Sequence, residues 1–198
     1  SQNLSATFTP TDTANYTTAT ANVTLTVNKA AASVALSNLA QAYDAAPKAA
    51  SASTTPSGLS VTFSYSGTSG TVYGPSATAP TGAGSYSVTA AINDSNYSGS
   101  GSGTLTVNKA APSISWATPA AITYGTALSG GQLNATANVP GNFVYAPAAG
   151  TVLNAGSQNL SVTFTPTDTT DYTTATANVT LTVSKAAASV ALGNLAQT

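Results

Sequence analysis

Residues 4–10 read Leu-Ser-Ala-Thr-Phe-Thr-Pro, with Leu4, Ala6 and Phe8 alternating against Ser5, Thr7 and Thr9. That two-residue period is the mark of a strand with one face in a core and one in water. After the turn-forming residues 11–16, alternation resumes over 18–27, where Ala19, Ala21, Val23, Leu25 and Val27 oppose Thr18, Thr20, Asn22, Thr24 and Thr26. The pair predicts an antiparallel hairpin. Residues 1–41 and 157–197 are nearly the same text set 156 positions apart, identical at 36 of 41 positions. A period of that length is about two small domains, so the chain reads as a window on a tandem array.

The same pattern predicts strands at 33–37, 48–54, 59–66, 85–93 and 98–107, and again at 113–117, 133–139, 142–146, 160–166 and 173–183. Gly and Pro punctuate the intervals. Pro140-Gly141 is expected to be the tight turn of a hairpin between its two flanking strands. Residues 98–103, Ser-Gly-Ser-Gly-Ser-Gly, resemble a linker, but their register runs on into Leu105 and Val107. Gly99, Gly101 and Gly103 therefore fall on the inward face, where a backbone or ring is expected to approach closely. Every apolar pattern longer than five residues has period 2, so no helix is expected. The expected fold is all-β: tandem immunoglobulin-like β-sandwich modules of about seven strands, arranged end to end.

Three junctions divide the modules: Asn28-Lys29-Ala30-Ala31, Asn108-Lys109-Ala110-Ala111 and Ser184-Lys185-Ala186-Ala187. Each follows a long strand ending in Thr-Leu-Thr-Val and leaves no room for a flexible linker. The boundaries follow as 1–29, the closing hairpin of a truncated module; 30–109 and 110–185, two complete modules; and 186–198, the first strand of a further one. Lys29, Lys109 and Lys185 sit at these seams. They are read either as solvated charges that discourage edge-to-edge pairing or as partners for a carbonyl or Asp of the next module.

Composition removes most chemistry. Four lysines and five aspartates make 5% charged residues at a net charge of -1, against roughly 25% in ordinary soluble domains. Without a basic cluster there is no electrostatic footprint for nucleic acid, and no apolar run is long enough for membrane insertion. No Cys is present, so neither disulfides nor thiol chemistry is available. Neither His nor Cys is there to titrate or attack near neutral pH, and no serine stands in a nucleophile context, so an enzyme is not expected. No cofactor site is expected. Asp12, Asp168 and Asp171 lie in turns, where two carboxylates among threonines fall short of a calcium shell and fit Asx capping better; no metal site is expected. Tyr16, Tyr97 and Tyr172 follow these turns as candidate corner tyrosines whose hydroxyls would bond back to the loop. Trp116 is read as a core plug near a seam, with a sugar- or peptide-binding aromatic as the alternative. Lys48, near Asp44, is the one lysine inside a module and so the candidate for an isopeptide crosslink, against the cost of burying its charge.

The runs Tyr43-Asp44-Ala45-Ala46-Pro47-Lys48, Ala79-Pro80-Thr81-Gly82-Ala83-Gly84-Ser85-Tyr86 and Asn93-Asp94-Ser95-Asn96-Tyr97 resemble the signatures of MBG-type bacterial immunoglobulin-like repeats. Ile122-Thr123-Tyr124-Gly125, with Phe164-Thr165-Pro166 through Tyr172, is similar to a sister repeat that often alternates with them. Ala45 departs from the pattern, where the family tends to have Gly. The resemblance implies an extracellular or cell-surface bacterial protein of stacked modules, the stalk of an adhesin or fibre. Its expected partners are neighbouring modules of the same chain and other copies in a fibre. Two alternatives stay open: a glycan- or protein-binding module, and a filament subunit assembled by strand exchange.

Overall fold

The structure is a computed structural model, and it describes residues 1–191. Among them there is no helix. The chain forms two compact units, one of residues 1–39, 47–80 and 85–106, the other of 40–46, 81–84 and the residues from 107 onward.

The first ten strands are β1 (Gln2–Phe8), β2 (Ala19–Leu25), β3 (Ala30–Ala31), β4 (Ser33–Ser37), β5 (Ala40–Ala42), β6 (Ser51–Thr55), β7 (Val61–Thr68), β8 (Gly84–Ile92), β9 (Tyr97–Ser98) and β10 (Ser100–Asn108). β1 and β2 form a two-stranded antiparallel hairpin, from Gln2 opposite Leu25 to Phe8 opposite Ala19. Beyond the hairpin lies a sandwich: the four-stranded sheet β5-β10-β8-β7 together with the pair β4-β6. Tyr65, Tyr86, Val88, Ala90 and Leu105 form its buried interior. Gly99, just ahead of β10, and Gly101 and Gly103 within it are sites of close approach. A Cβ at Gly99 would strike the carbonyl oxygen of Ala32, one at Gly101 that of Val34, and one at Gly103 the Leu39 side chain. The repeated Ser-Gly is therefore a strand that admits a crossing backbone, as its register implied.

The remaining strands are β11 (Ile114–Ser115), β12 (Ile122–Thr123), β13 (Thr136–Ala137), β14 (Gly141–Ala146), β15 (Gly156–Pro166) and β16 (Ala175–Ser184). They repeat the plan with a four-stranded sheet β12-β16-β15-β14 and a pair β11-β13. Leu128, Leu160, Leu181 and Val183 form the core, flanked by Trp116, Ile122, Leu133, Leu153 and Val179. Each plan thus has six principal strands, and the expected seventh is reduced to a short ladder: β3 with β9 in one case, a single Ala110–Tyr172 bridge in the other.

Pro140-Gly141 is not a hairpin turn. β13 pairs with β11 and β14 with β15, so the chain changes sheets at this dipeptide. Proline supplies no N–H to a ladder, while the Pro140 carbonyl accepts from Thr167 N at 2.9 Å. A Cβ at Gly141 would meet the Phe164 ring. The strand expected from residue 48 begins at Ser51 because Lys48 is buried and its N–H goes to the Pro80 carbonyl at 2.8 Å. Of the strand expected at 186–198, residues 186–191 carry no regular structure, and the rest lies outside the described residues.

Candidate functional site

The candidate site is the one chemistry that recurs among the described residues: the Lys-Ala junctions and the Asp-containing turns that meet them. Each turn forms locally. Asp12 Oδ1 accepts from the N–H groups of Ala14 and Asn15 at 3.1 and 3.2 Å. Asp94 Oδ1 accepts from Asn96 and Tyr97 at 2.7 and 3.1 Å, and Asp168 Oδ1 from Thr170 and Asp171 at 3.0 and 3.1 Å. A carboxylate that accepts two main-chain donors imitates a further turn of backbone, which is why Asp stands here.

The turns leave carbonyls facing outward, and the junctions take them up. Lys29 Nζ donates to the Asp94 carbonyl at 2.6 Å while Ala30 N donates to the Asn96 carbonyl at 2.7 Å. Lys109 Nζ donates to the Thr169 carbonyl at 2.6 Å while Ala110 N donates to the Asp171 carbonyl at 2.9 Å. Counted from the tyrosine that ends each turn, Tyr97 or Tyr172, the lysine meets the third residue before it and the alanine the one just before it. The two clasps are the same device, although Asp94 stands one place nearer its tyrosine than Asp168 does. Short charge-assisted bonds fix direction well; both lysines are exposed, so each contributes little energy. Lys185 has no such turn against it among the described residues. It lines a shallow concavity with Tyr124, Asn154 and Ala155.

The second clasp carries an addition. Asp171 Oδ1 accepts from Ala83 N–H at 2.6 Å, and the Tyr43 ring stands edge-on to Tyr172 with centroids 5.3 Å apart. Desolvation raises the Tyr43 phenol above its usual 10.0, aided by the negative charge of Asp171, by Tyr172, by Asp168 and by a hydrogen bond to Asp171. Each effect disfavours phenolate. Ala45, next in this loop, sits at φ 64°. That is the left-handed region where a side chain costs about 1–2 kcal/mol, so alanine here adopts the conformation a glycine would take.

The candidate corner tyrosines do not share one environment. Tyr16 is exposed and its N–H reaches the Asp12 carbonyl at 3.2 Å; Tyr97 N–H goes to Asp94; Tyr172 packs on Tyr43. Hydroxyl-to-main-chain bonds occur at three tyrosines that the pattern did not single out, of which Tyr73 Oη donates to the nearby Thr78 carbonyl at 2.7 Å. Tyr65 Oη accepts from Ala50 N at 3.1 Å and Tyr145 Oη from Ala135 N at 3.0 Å. Each lies beside a stacked phenylalanine on its strand, Phe63 and Phe143. The shared Phe-x-Tyr spacing on equivalent strands was the signal available in the sequence. Trp116 is half-buried, donates Nε1–H to the Gln132 carbonyl at 3.0 Å and meets Tyr145 edge-on at 5.4 Å.

Among the described residues no three metal-ligating side chains gather, and no helix is long and apolar enough to cross a membrane. No curated protein matches the chain. The family model of the MBG domain matches residues 32–111. Those residues hold the first sandwich, whose β10 glycines, Ala45 turn and Asp94 turn are the features described above. The match fits a non-catalytic, adhesin-type module of extracellular proteins, and over residues 32–111 the chain is similar to the MBG domain.

Proposed function

We propose that the chain is a structural segment of a long extracellular bacterial fibre or adhesin stalk, built from modules at 1–29, 30–109, 110–185 and 186–198, that projects other domains from the cell surface. One observation carries this reading: two junctions are made by the same pair of bonds at the same positions, Lys29 and Ala30 on the Asp94 turn, Lys109 and Ala110 on the Asp168 turn. A clasp that recurs at two of the junctions is what a stalk needs, because it fixes the direction in which the next module leaves. With a final strand of 10 residues, a module would add about 35–45 Å of length at roughly 3.3 Å per residue. Neighbouring modules and other copies in a fibre would be its partners. Trp116 favours scaffolding over sugar stacking, since its ring packs against the core and its N–H is already engaged.

Small-angle scattering and electron microscopy on the chain and on the double variant Lys29→Gln, Lys109→Gln test the reading. The chain should appear as a narrow particle, and loss of both ammonium groups should broaden the distribution of bend angles without unfolding either sandwich. A rounded particle that is retained on a glycan column would sink the stalk reading.

A further inference from the structure

We propose that the outer edge of β14 is a lateral docking surface for β14 of a second copy of this chain, paired antiparallel about Val144. The molecule supplies the comparison, because β7 and β14 are equivalent strands that carry Phe63 and Tyr65, and Phe143 and Tyr145, at the same spacing. Their phases agree as well. Asn93 N donates to the Ser60 carbonyl at 2.8 Å and Thr167 N to the Pro140 carbonyl at 2.9 Å, just ahead of each strand. In an antiparallel ladder bonded pairs alternate with unbonded ones, so both tyrosines, like the phenylalanines before them, turn their N–H and C=O groups away from the neighbouring strand.

On β7 the outward groups of Tyr65 are taken. Tyr65 N donates to the Ser76 carbonyl at 2.8 Å, Ser76 N returns a bond to the Tyr65 carbonyl at 2.9 Å, and Gly67 N donates to the Tyr73 carbonyl at 2.8 Å. The covering segment is itself fastened: the Tyr73 ring meets Tyr86 edge-on at 5.5 Å, and its hydroxyl reaches the Thr78 carbonyl. β14 has no such cover among the described residues. No strand lies on its outer side, and the main-chain groups of Phe143 and Tyr145 make no bond there. The residues that follow it are engaged elsewhere, Gly150 and Thr151 being bonded to Leu128.

What fits the edge is decided by its chemistry. Residues 110–167 hold no charged side chain, so nothing there attracts a charged partner or repels an identical one, and no lysine guards the strand as edges are usually guarded. Val144, 67% exposed, is the one large apolar side chain on the solvent face of β14. Two copies of one strand paired antiparallel share a two-fold axis. Centred on Val144, that pairing lets Phe143 of each copy exchange main-chain bonds with Tyr145 of the other and brings the two valines together. Sliding by two residues either way would set Val144 against Asn142 or Ala146. Pro140 and Pro147, which have no N–H, limit the ladder to 6 residues, and so short a contact falls well under the roughly 1,200 Å² of a stable interface. The association is therefore weak, and it rests on the stalk reading in one respect: copies held side by side in a fibre make it count.

Sedimentation velocity and amide exchange by NMR, each over a concentration series of the intact chain, test the proposal. The chain should pass from monomer toward dimer as concentration rises, and exchange at Phe143 and Tyr145 should slow severalfold while Tyr65 and Gly67 stay constant. Val144→Lys and Val144→Asp should each abolish both effects by placing like charges opposite each other, and an equimolar mixture of the two should restore them. Val144 is exposed, so both variants should keep the melting temperature of the parent chain. The proposal is overturned if the chain stays monomeric, if either variant alone associates as the parent does, or if the mixture does not associate. It is overturned too if Phe143 and Tyr145 are already protected at the greatest dilution, which would put the cover within one chain, or if the concentration-dependent protection falls on residues 2–25 instead. Scattering on dilute single chains reads the stalk separately, so either reading can fail alone.

Discussion

The β1–β2 and β15–β16 hairpins are one sequence in two environments. Their registers coincide position for position, yet Phe8 is 67% exposed where Phe164 is 0%, and Leu4 is 51% exposed where Leu160 is 0%. Pairing therefore depends on what the hairpin contains: alternation fixes which residues face together, and the Asp turn fixes where the strand reverses. Burial depends on what it lacks. A two-stranded hairpin has an apolar face but no second layer, and isolated pairs of strands are marginal in water.

The comparison can be broken most directly at the phenylalanines. Phe164→Ala should destabilise its unit by about 3–5 kcal/mol, the usual cost of emptying a buried aromatic site, whereas Phe8→Ala should stay within about 0.5 kcal/mol. Urea unfolding, with hydrogen exchange read separately over each hairpin, measures both; equal losses would show that the first hairpin also supports a core.

Asp171→Ala should cost about 1–3 kcal/mol, because it leaves the Ala83 N–H without its acceptor. The matching change Asn15→Ala removes only an exposed bond to Asp12 and should cost far less. Thermal unfolding of the two variants side by side checks the asymmetry.

A smaller effect concerns protons. With its folded value raised above 10.0, Tyr43 contributes stability that is present below pH 10 and lost as pH rises through the folded value. A titration that follows Tyr43 should find it ionising late, and Asp171→Ala should bring it back toward 10.0. The smallest effect lies at Asp12, held below its usual 3.8 chiefly by the Asn15 side chain and further by the Asn15 and Ala14 N–H groups. Its contribution is present above pH 3.8 and fades as pH falls through the lowered value. Asn15→Ala should raise the Asp12 midpoint in an NMR titration and leave the Asp168 turn untouched.

Much of the architecture was legible along the chain because period-2 alternation maps directly onto sheet faces. The Leu4-Ala6-Phe8 stripe, the 33–37 strand and the inward glycines at 99, 101 and 103 were readable in this way. Three features were not. Pro140-Gly141 reads locally as a turn, but which sheet each flanking strand joins depends on long-range pairing. β5 and β12 are too short to show a period and exist because the ends of β10 and β16 offer them an edge. Two of the tyrosines that fasten main chain, Tyr65 and Tyr145, do so at residues 15 and 10 positions away. At the junctions, the spacing of Lys29 and Lys109 suggested a coupling role, but their acceptors lie 65 and 60 residues further on.

By itself the sequence determined the all-β class, the hairpin registers and the Asp turns, since these follow from residues within one or two strands of each other. Only the tertiary structure decided which sheet each strand flanking Pro140-Gly141 joins and which carbonyls the junction lysines grasp. Both depend on segments brought together from far along the chain.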